Sequence, residues 1–576
     1  MNLATRDMLW ARARRAVVAG ARSSTRRGLL LSLLYLAAGG MAARAAYLQL
    51  FHTDFLQSRG SFIHVVDVPA HRGMILDRNR EPLAVSSPVD SIWVEPREFA
   101  EARDQWPKLA TALEMTRAEL EQKLEGRNRF AWLRRQLAPS VAQQILALNI
   151  PGVYARREYR RYYPDAEVTS QVLGFTNIDD IGQDGLEKSF DSELRGVPGQ
   201  RRVIRDRLGR AVDAVENLRA PQPGQEVVLS IDRRLQYLAY RALKAAVVQN
   251  KASAGAAVIV DARTGEILAM VSQPAGNPNN RAELHGDWLR NRTITDVYEP
   301  GSTAKPFTAA LGLESGKWRP GTRVSTAPMM IGRYPVRDPH NYGVLDVTQI
   351  ISKSSNVGVT KIALSMSAER LWQLYKNLGF GAPTEVGGWE GEQAGVLRHF
   401  SKWAEITHAN HAFGYGFSVT ILQLAQAYAV LAADGVRRPL TLRKREQPLG
   451  PTDERRVLAA SAVRQVRAMM EEVVTRQGTG LKAEVPGYRV AGKTGTARKV
   501  AGGRYTNRHV ALFAGMAPAS DPRLVMAILI DDPKGGEYYG GTVAAPVFSA
   551  TMSGALRILN ITPDDLPNLR LAGATP

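Results

Sequence analysis

The sequence predicts an α+β fold in which one antiparallel sheet is built from two segments far apart in the chain. Residues 256–271 form two apolar runs joined by a short turn, which is typical of a β-hairpin. A second pair of apolar runs begins at His509 and Leu524, again joined by a polar turn that contains proline. Helical stretches such as the amphipathic residues 421–433 lie between the two pairs. Strands at both ends with helices inserted between them favour an α+β domain.

Length and composition indicate a folded protein of two or three domains. The 576 residues exceed what one hydrophobic core usually organises, and the apolar and charged fractions of 44% and 23% favour neither disorder nor a polytopic membrane protein. The net charge of +20 suits an anionic partner such as a lipid surface, a nucleic acid or an acidic polymer. The absence of cysteine excludes disulfides, thiolate metal sites and a cysteine nucleophile.

The amino terminus predicts a membrane anchor. Residues 1–27 contain seven arginines and one acid, and the following run 28–43 has no charged residue. Counting on through Arg44 to Phe51 gives the roughly 20 residues that span a bilayer, with Arg44 able to reach the interface. We therefore expect an uncleaved anchor, with the arginines in the cytoplasm and the rest of the chain exported. The alternative is a cleaved signal peptide, because Ala-Arg-Ala at 43–45 fits a cleavage site.

A domain boundary is expected near residue 223, where a Pro-Gly turn leads into a strand and then a helix. From about residue 60 to this point, short strand-like runs alternate with charged helical stretches, and glycine and proline residues separate them. The sequence contains no internal repeat.

The stretch "YEPGSTAKPFTAAL" from Tyr298 places a serine and a lysine three residues apart. If a helix begins near Ser302, then Ser302 and Lys305 lie one turn apart on one face, where the amine can reach the hydroxyl. A serine hydroxyl needs a neighbouring base, and a lysine serves once burial or nearby cations lower its pKa. The helix N-terminus adds backbone N–H groups where an oxyanion would form. This spacing occurs by chance roughly twice in such a chain, so, taken alone, a helix cap and a solvated lysine are the better explanation.

Two further short motifs occur later in the chain. "SSN" at Ser354 to Asn356 precedes another apolar run and, taken alone, is typical of a turn or a cap. "KTGT" begins at Lys493. If this segment is a strand, its lysine and Gly495 can face the serine, with the glycine allowing another chain to approach closely. The lysine and the two threonines offer a cation and hydroxyls to a carboxylate.

The segment that contains Lys493 also matches the sequence pattern of a phosphate-binding loop. Residues 487–494 read G-x-x-x-x-G-K-T. Such a loop needs a strand before its first glycine and a helix directly after its lysine, and the sequence predicts neither. Val485-Pro486 precedes Gly487, and the Gly-Gly pair at 502–503 soon interrupts the residues after the lysine. We therefore reject an ATP site.

Together the three motifs point to one family. S-x-x-K, S-x-N and K-T-G in this order mark the class A β-lactamases and the penicillin-binding proteins. Their joint occurrence by chance is far rarer than that of any one of them. Over nearly its whole length the chain resembles class B penicillin-binding proteins, and among them the division-septum transpeptidases of the FtsI type. The resemblance is carried by "HRGMILDRNREPLAVS" from His71, "RRYYPDAEVTSQVLGFTNIDDIGQDGLEKSFDSELRGVPG" from Arg160, "VYEPGSTAKPF", "SSNVG", "FGYGFSVT" from Phe413, "AGKTGTA" and "YYGGTVAAPVF" from Tyr538.

This resemblance implies a serine D,D-transpeptidase that cross-links peptidoglycan stem peptides at the division septum and is acylated by β-lactams. Ser302 would be the nucleophile and Lys305 the base for acylation, with Ser354 and Asn356 relaying the proton and holding the substrate amide. The terminal carboxylate would be bound by Lys493, Thr494 and Thr496, with Gly495 between them. The backbone N–H groups of Ser302 and Thr496 would form the oxyanion hole. No cofactor and no metal are expected.

The resemblance also implies an architecture, a location and partners. The expected fold is a single N-terminal transmembrane helix, an elongated pedestal domain, and a transpeptidase domain whose five-stranded antiparallel sheet carries helices on both faces. The expected location is the bacterial inner membrane, single-pass, with the catalytic domain in the periplasm. Septal division proteins, including a wall glycosyltransferase, are expected partners, and nucleic acid is not. The expected regions are a cytoplasmic basic segment 1–27, an anchor 28–51, a dimerisation or pedestal domain 60–222, a transpeptidase domain 223–565 and a tail 566–576.

Three alternatives remain open at this point. The chain could be an elongation-type class B transpeptidase, or a non-enzymatic β-lactam sensor or division scaffold that uses the same fold for binding. A β-lactamase would need an efficient deacylating water, and the membrane anchor and the extra amino-terminal domain speak against it.

Overall fold

The computed structural model describes residues 28–47, 63–127, 129–205, 211–280, 282 and 285–565. Among these residues one helix, Gly28–Tyr47, is long and apolar enough to cross a membrane, and it is exposed along its length. It covers most of the predicted anchor. The basic segment 1–27, the last predicted anchor residues 48–51 and the tail 566–576 lie outside the described residues.

The chain divides into two compact units. The first contains the anchor helix and a three-stranded antiparallel sheet. In this sheet the strand Gly199–Arg205 lies in the middle and pairs with Ile63–Val68 on one side and Ala211–Arg219 on the other.

The second unit begins with a mixed sheet built around one long strand, Pro82–Val94. This strand pairs antiparallel with Ala131–Leu137, Val153–Tyr162 and the short Ile75–Leu76, which in turn pairs parallel with Val227–Val228. The short helices that accompany this sheet are Pro96–Phe99, Trp106–Ala112, Arg117–Leu124, Pro139–Leu146, Ser170–Leu173, Gly185–Ser189 and Asp191–Leu194.

The central sheet of the second unit has five antiparallel strands. Their order across the sheet is Ile267–Gln273, Ala254–Asp261, Leu524–Asp531, Arg504–Ala517 and Ala491–Ala501. The two predicted hairpins therefore meet in one sheet, with the K-T-G segment on its edge strand. This confirms the predicted α+β fold, in which the sheet is built from both ends of the domain.

Helices cover both faces of the central sheet. Arg233–Gln249 and Ala545–Ile558 pack on one face, and a helical layer that includes Lys305–Glu314 and Ile421–Ala432 packs on the other. The remaining helices of this unit are Gly286–Leu289, Arg292–Thr295, Val347–Ser352, Asn356–Leu364, Ala368–Leu378, Glu405–Ala412, Ala460–Glu471 and Gly540–Val543. Short two-stranded pairings complete the inserted region through the strands Val324–Ser325, Val344–Leu345, Met329–Ile331, Tyr334–Val336, Val436–Arg437 and Arg455–Arg456.

The helix Ile421–Ala432 corrects one prediction. Its sequence predicted an amphipathic helix, but every residue of the helix except Ala429 is buried. The helix lies between the central sheet on one side and the helices Ala368–Leu378 and Ala460–Glu471 on the other. A helix enclosed by neighbours on all sides carries no solvent-facing stripe. Its buried Gln423 is accommodated by hydrogen bonds from Nε2 to the carbonyls of Ala382 and Ala394.

Candidate active site

Ser302 lies in a tight 3-10 turn, Gly301–Ala304, that leads directly into the helix Lys305–Glu314. Gly301 has a positive φ of 53°, and its N–H donates to the Gly414 carbonyl at 3.0 Å, so the turn is held against a neighbouring loop. The α-helix thus starts one turn later than predicted. Ser302 is only partly buried and lines a cleft of about 650 Å³.

Lys305 is the first residue of that helix and is fully buried. Its ammonium donates to Asn356 Oδ1 at 2.7 Å, to Ser354 Oγ at 3.1 Å and to the Ser354 carbonyl. The structure therefore brings the first two motifs together. These hydrogen bonds go to the S-x-N motif rather than to Ser302, whose hydroxyl has no hydrogen-bond partner within the described ranges.

The surroundings of Lys305 lower its pKa well below the ordinary lysine value. Burial is the largest cause, because it penalises the charged amine, and the positive charge of Lys493 lowers the pKa further. The carboxylate of Asp338 acts in the opposite direction. A lysine in this environment gives up its proton far more easily than one in water, which is the property that a general base requires.

The S-x-N motif is held by an aspartate that the sequence did not point to. Asp338 accepts hydrogen bonds from Ser355 Oγ at 2.6 Å, from the Val357 N–H at 3.0 Å and from the Asn356 N–H. It thereby caps the helix Asn356–Leu364 together with Ser355. No spacing rule links residue 338 to residue 356, so only the folded chain reveals this contact.

Ser354 sits at the turn between two helices, with a positive φ of 63°. This backbone conformation is uncommon for a residue other than glycine. It directs the hydroxyl between the two lysines, since Ser354 Oγ lies 3.1 Å from Lys305 Nζ and 3.0 Å from Lys493 Nζ. Ser354 therefore links the two buried amines.

Lys493 lies on the edge strand Ala491–Ala501 and is fully buried. Besides its bond to Ser354, its ammonium donates to the Thr494 carbonyl at 3.1 Å. Burial lowers the pKa of Lys493 to about 7. Its amine stands behind the wall of the cleft, whereas the residues after it in the motif line the cleft itself.

Gly495 occupies a position where a side chain does not fit. A Cβ there would lie 2.9 Å from Thr303 Cγ2 and 3.1 Å from the Pro300 carbonyl oxygen. The missing side chain lets the edge strand pack directly against the turn that carries Ser302. On either side, Thr494 Oγ1 lies 2.7 Å from Thr479 Oγ1, and Thr496 Oγ1 accepts from the Gly540 N–H at 3.1 Å.

The cleft gathers residues from all three motifs. It is lined by Ser302, Ser354, Asn356, Thr494, Gly495 and Thr496. It is also lined by Tyr415, Arg476 and Thr479, which the sequence did not single out. Within the part of the chain that the structure describes, no group of three or more His, Asp or Glu side chains is arranged to hold a metal ion.

Comparison with known proteins agrees with this arrangement. Residues 255–553 match the model of the penicillin-binding protein transpeptidase domain, and residues 67–229 match that of the penicillin-binding protein dimerisation domain. The chain is a class B penicillin-binding protein. It is similar to the peptidoglycan D,D-transpeptidase FtsI of Escherichia coli strain K12, with 44% identity over 94% of this chain and 93% of that protein.

Two further relatives belong to other bacteria. The probable peptidoglycan D,D-transpeptidase PbpC of Pseudomonas aeruginosa is 43% identical over 94% of this chain and 98% of its own length. The apo structure of the TP domain of Burkholderia pseudomallei penicillin-binding protein 3 is 43% identical, with a TM-score of 0.53, and covers 58% of this chain and 97% of that domain. The present class B penicillin-binding protein is of the FtsI type.

Proposed function

We propose that this class B penicillin-binding protein is a peptidoglycan D,D-transpeptidase that forms an acyl-enzyme on Ser302. One observation carries the proposal: a partly exposed serine lies in a cleft backed by two fully buried lysines that share the Ser354 hydroxyl. The names of the relatives from Escherichia coli and Pseudomonas aeruginosa support the substrate class.

In acylation, Ser302 Oγ attacks the carbonyl carbon of the penultimate D-Ala of a stem peptide. Lys305, whose lowered pKa favours the uncharged amine, takes the serine proton. The C–N bond to the terminal D-Ala then breaks, and the leaving amine takes up a proton that is passed on through the Ser354 hydroxyl. An ester on Ser302 remains, and the N–H groups of Ser302 and Thr496 stabilise the oxyanion that precedes it.

The terminal carboxylate of the substrate is recognised at the edge strand. The hydroxyls of Thr494 and Thr496 line the cleft and donate to the carboxylate, and Thr479 orients the first of them. Lys493 contributes its positive charge from behind the wall. Asn356, which accepts a hydrogen bond from Lys305, offers its amide to the substrate backbone.

In the second half of the reaction, an amine from a neighbouring stem peptide attacks the ester. Lys305, uncharged again after acylation, accepts the proton that the attacking amine loses as the new amide bond forms. The ester bond to Ser302 breaks, and Lys305 passes this proton to the serine oxygen. The product is a cross-link between two peptidoglycan strands. A β-lactam acylates the same serine by opening its ring.

The cellular setting completes the proposal. We propose a single-pass protein of the inner membrane, with residues 1–27 in the cytoplasm and the transpeptidase domain, residues 223–565, in the periplasm. The long apolar helix Gly28–Tyr47 supports the anchor. The pedestal, residues 60–222, would connect the two. Septal division proteins, including a wall glycosyltransferase, are the partners that we propose.

Labelling with a fluorescent penicillin followed by mass spectrometry of the labelled peptide tests the assignment of the nucleophile. We expect the label on Ser302 in the wild type and none on Ser302→Ala, which remains folded because loss of a hydroxyl at a helix start costs about 0.5 to 2 kcal/mol. Ser315→Ala, at the opposite end of the same helix, is the matched control and keeps its label. Undiminished labelling of the Ser302→Ala variant contradicts the proposal.

A further inference from the structure

A row of aromatic side chains crosses the mixed sheet of the second unit. Trp93 lies on the long central strand, and it pairs with Trp132 on one neighbouring strand and with Tyr154 on the other. Phe130 directly precedes the strand that carries Trp132 and continues the row. We refer to these four residues as the aromatic row.

The aromatic row lies on the face of the sheet that is turned away from its hydrophobic core. Side chains alternate along a strand, and the residues on either side of Trp93 are buried in the core on the opposite face. The rings of the row pack on one another instead: the centroid of the Trp93 ring lies 4.8 Å from that of Tyr154 and 5.0 Å from that of Phe130. Phe130 is 37% exposed, and the other three side chains are half-buried. Aromatic rings left partly in water on one face of a sheet are typical of an interaction surface.

Two acidic residues beside the aromatic row are already paired. Glu98 accepts a hydrogen bond from the Tyr154 hydroxyl. Glu158 forms an ion pair with Arg135 at 2.7 Å, and the Arg135 guanidinium in turn lies over the Trp132 ring, 5.0 Å from its centroid. Both carboxylates are thus engaged within the protein.

Two arginines border the aromatic row. Arg156 follows Tyr154 by two residues on the same strand, so both side chains stand on the same face of the sheet. Arg129 directly precedes Phe130. Both arginines are exposed, and neither guanidinium makes a hydrogen bond or an ion pair with a residue that the structure describes. These two positive charges suit an anionic partner.

A row of rings with cations beside it matches a glycan that carries carboxylates. One face of a sugar ring consists of C–H groups and packs on an aromatic ring, while the hydroxyl groups at its edge stay in water, which a half-exposed surface allows. Repeating sugars suit several rings in a row, and carboxylates suit guanidinium groups. Peptidoglycan, the polymer of the proposed function, consists of such glycan strands with carboxylates on their peptides. The free charges of this surface and those of the polymer are therefore complementary.

We propose that the aromatic row, together with Arg129 and Arg156, binds a glycan strand of peptidoglycan outside the catalytic cleft. The rings pack on successive sugars, and the arginines bind carboxylates of the same strand. For the identity of the polymer this inference rests on the proposed function, but it uses no step at Ser302. It assigns the pedestal a task of its own, which is to hold a strand while the cleft acts on one peptide after another.

Co-sedimentation with purified insoluble peptidoglycan tests the inference on the full-length protein in detergent. The protein is first treated with excess penicillin, which occupies the cleft and leaves only binding elsewhere to be measured. Phe130→Ala and Trp132→Ala should each weaken binding by roughly tenfold, since burial of one large apolar side chain is worth about that factor. Arg156→Gln should weaken it by roughly twofold to fivefold, as expected for an exposed ion pair, and should reduce its dependence on salt.

Matched controls come from the helix Arg233–Gln249 in the transpeptidase domain. Tyr237 is 52% exposed there, Arg241 is exposed one turn later, and neither lies in the aromatic row. Tyr237→Ala and Arg241→Gln remove one ring and one charge from the same protein and should leave binding unchanged. A general effect of net charge or of exposed apolar surface would appear equally in these controls.

Two digests of the polymer separate glycan from peptide. Glycan strands freed of their stem peptides by an amidase keep a carboxylate on each lactyl group, so they should displace the protein from intact peptidoglycan. The released peptides should not displace it. Displacement by the peptides alone would contradict the inference.

Binding of a partner protein by this face is the competing explanation. If the aromatic-row variants sediment with peptidoglycan as the wild type does, or lose no more binding than their controls, the row does not bind glycan. A wild type that penicillin does not label refutes the proposed function rather than this inference, because the variants are compared with controls that share the same cleft. Phe130 and Arg156 are exposed, so their variants decide the question even if Trp132→Ala does not fold.

Discussion

Two clusters of buried charged residues lie in the second unit, and they are built in opposite ways. In the first, which we call the arginine cluster, Arg72 and Arg161 hold the two oxygens of Glu187 at 2.8 and 2.6 Å, and Asp191 lies 2.7 Å from Arg72. In the second, the lysine cluster, Lys305 and Lys493 share one neutral hydroxyl. The arginine cluster pairs its charges, whereas the lysine cluster places like charges side by side.

This difference changes what burial does to each group. Burial alone would lower the pKa of Arg72, but the carboxylates of Glu187 and Asp191 raise it above its ordinary value. In the lysine cluster, burial lowers the pKa of Lys493 to about 7 and that of Lys305 well below the lysine value. Paired charges hold the fold together, whereas burial without a paired carboxylate favours the uncharged form of each amine. The comparison predicts that stability depends on the first cluster and chemistry on the second.

The largest expected effect is on the rate of acylation. Lys305→Met should slow penicillin acylation by roughly a hundredfold to ten-thousandfold, the usual contribution of a general base. The free energy of unfolding should stay equal or rise, because the variant replaces a buried amine by an apolar chain of similar length. Stopped-flow acylation and urea unfolding measure the two effects. Lys317→Met, beyond the end of the same helix, should change neither.

The corresponding substitution in the arginine cluster removes the charge of Glu187. Glu187→Gln leaves two buried guanidinium groups without their shared carboxylate and should destabilise the protein by about 3 to 5 kcal/mol. The rate of acylation per folded molecule should stay within about twofold of the wild type, because Glu187 is not part of the cleft. The neighbouring Lys188 pairs with Glu390 at the surface, so Lys188→Gln should cost about 1 kcal/mol or less. If Glu187→Gln and Lys188→Gln lower the free energy of unfolding by equal amounts, the arginine cluster does not stabilise the fold as proposed.

Lys493 belongs to the lysine cluster but is expected to serve recognition. Lys493→Met should slow acylation by a substrate with a free carboxylate by roughly tenfold to a hundredfold. A methyl ester at the substrate's C-terminus should cost the wild type a similar factor and cost the variant little more, because both changes delete the same attraction between the Lys493 charge and the carboxylate. If the two penalties multiply, the charge of Lys493 does not attract the carboxylate.

The Lys493→Met variant should also change the pH dependence of the acylation rate. Acylation needs Lys305 uncharged, so the rate falls as acidification protonates it. Removing the positive charge of Lys493 raises the pKa of Lys305, and the acid limb of the acylation profile should move to higher pH. If the acid limb of the Lys493→Met profile lies at the same pH as that of the wild type, Lys305 and Lys493 do not interact.

The smallest effect is expected for Asp338. Its carboxylate raises the pKa of Lys305, so Asp338→Asn should move the acid limb to lower pH, opposite to Lys493→Met. The rate at the plateau should fall roughly tenfold or less, because a charged hydrogen-bond acceptor for the S-x-N helix becomes a weaker one. If Asp338→Asn abolishes acylation at the plateau but leaves the acid limb at the same pH, Asp338 has a purely structural role.

The sequence was informative wherever a local pattern reports a local structure. The two hairpins, the apolar anchor helix and the need for a glycine at position 495 are all encoded in patterns of neighbouring residues. The prediction of amphipathicity failed at residues 421–433 because tertiary packing surrounds that helix. The contact of Asp338 with the S-x-N motif and the position of Lys493 behind the cleft wall also depend on pairings across the fold. Local sequence contains no record of such pairings.

The central claim is that burial and the charge of Lys493 lower the pKa of Lys305 and so suit it to act as the general base. An NMR titration of the protein labelled with ¹³C at the lysine ε-carbons measures this directly, with the Lys305 signal assigned by its absence in Lys305→Met. The account predicts that this signal titrates well below the ordinary lysine pKa of 10.5. A Lys305 signal that titrates with the surface lysines, near that ordinary value, would contradict it.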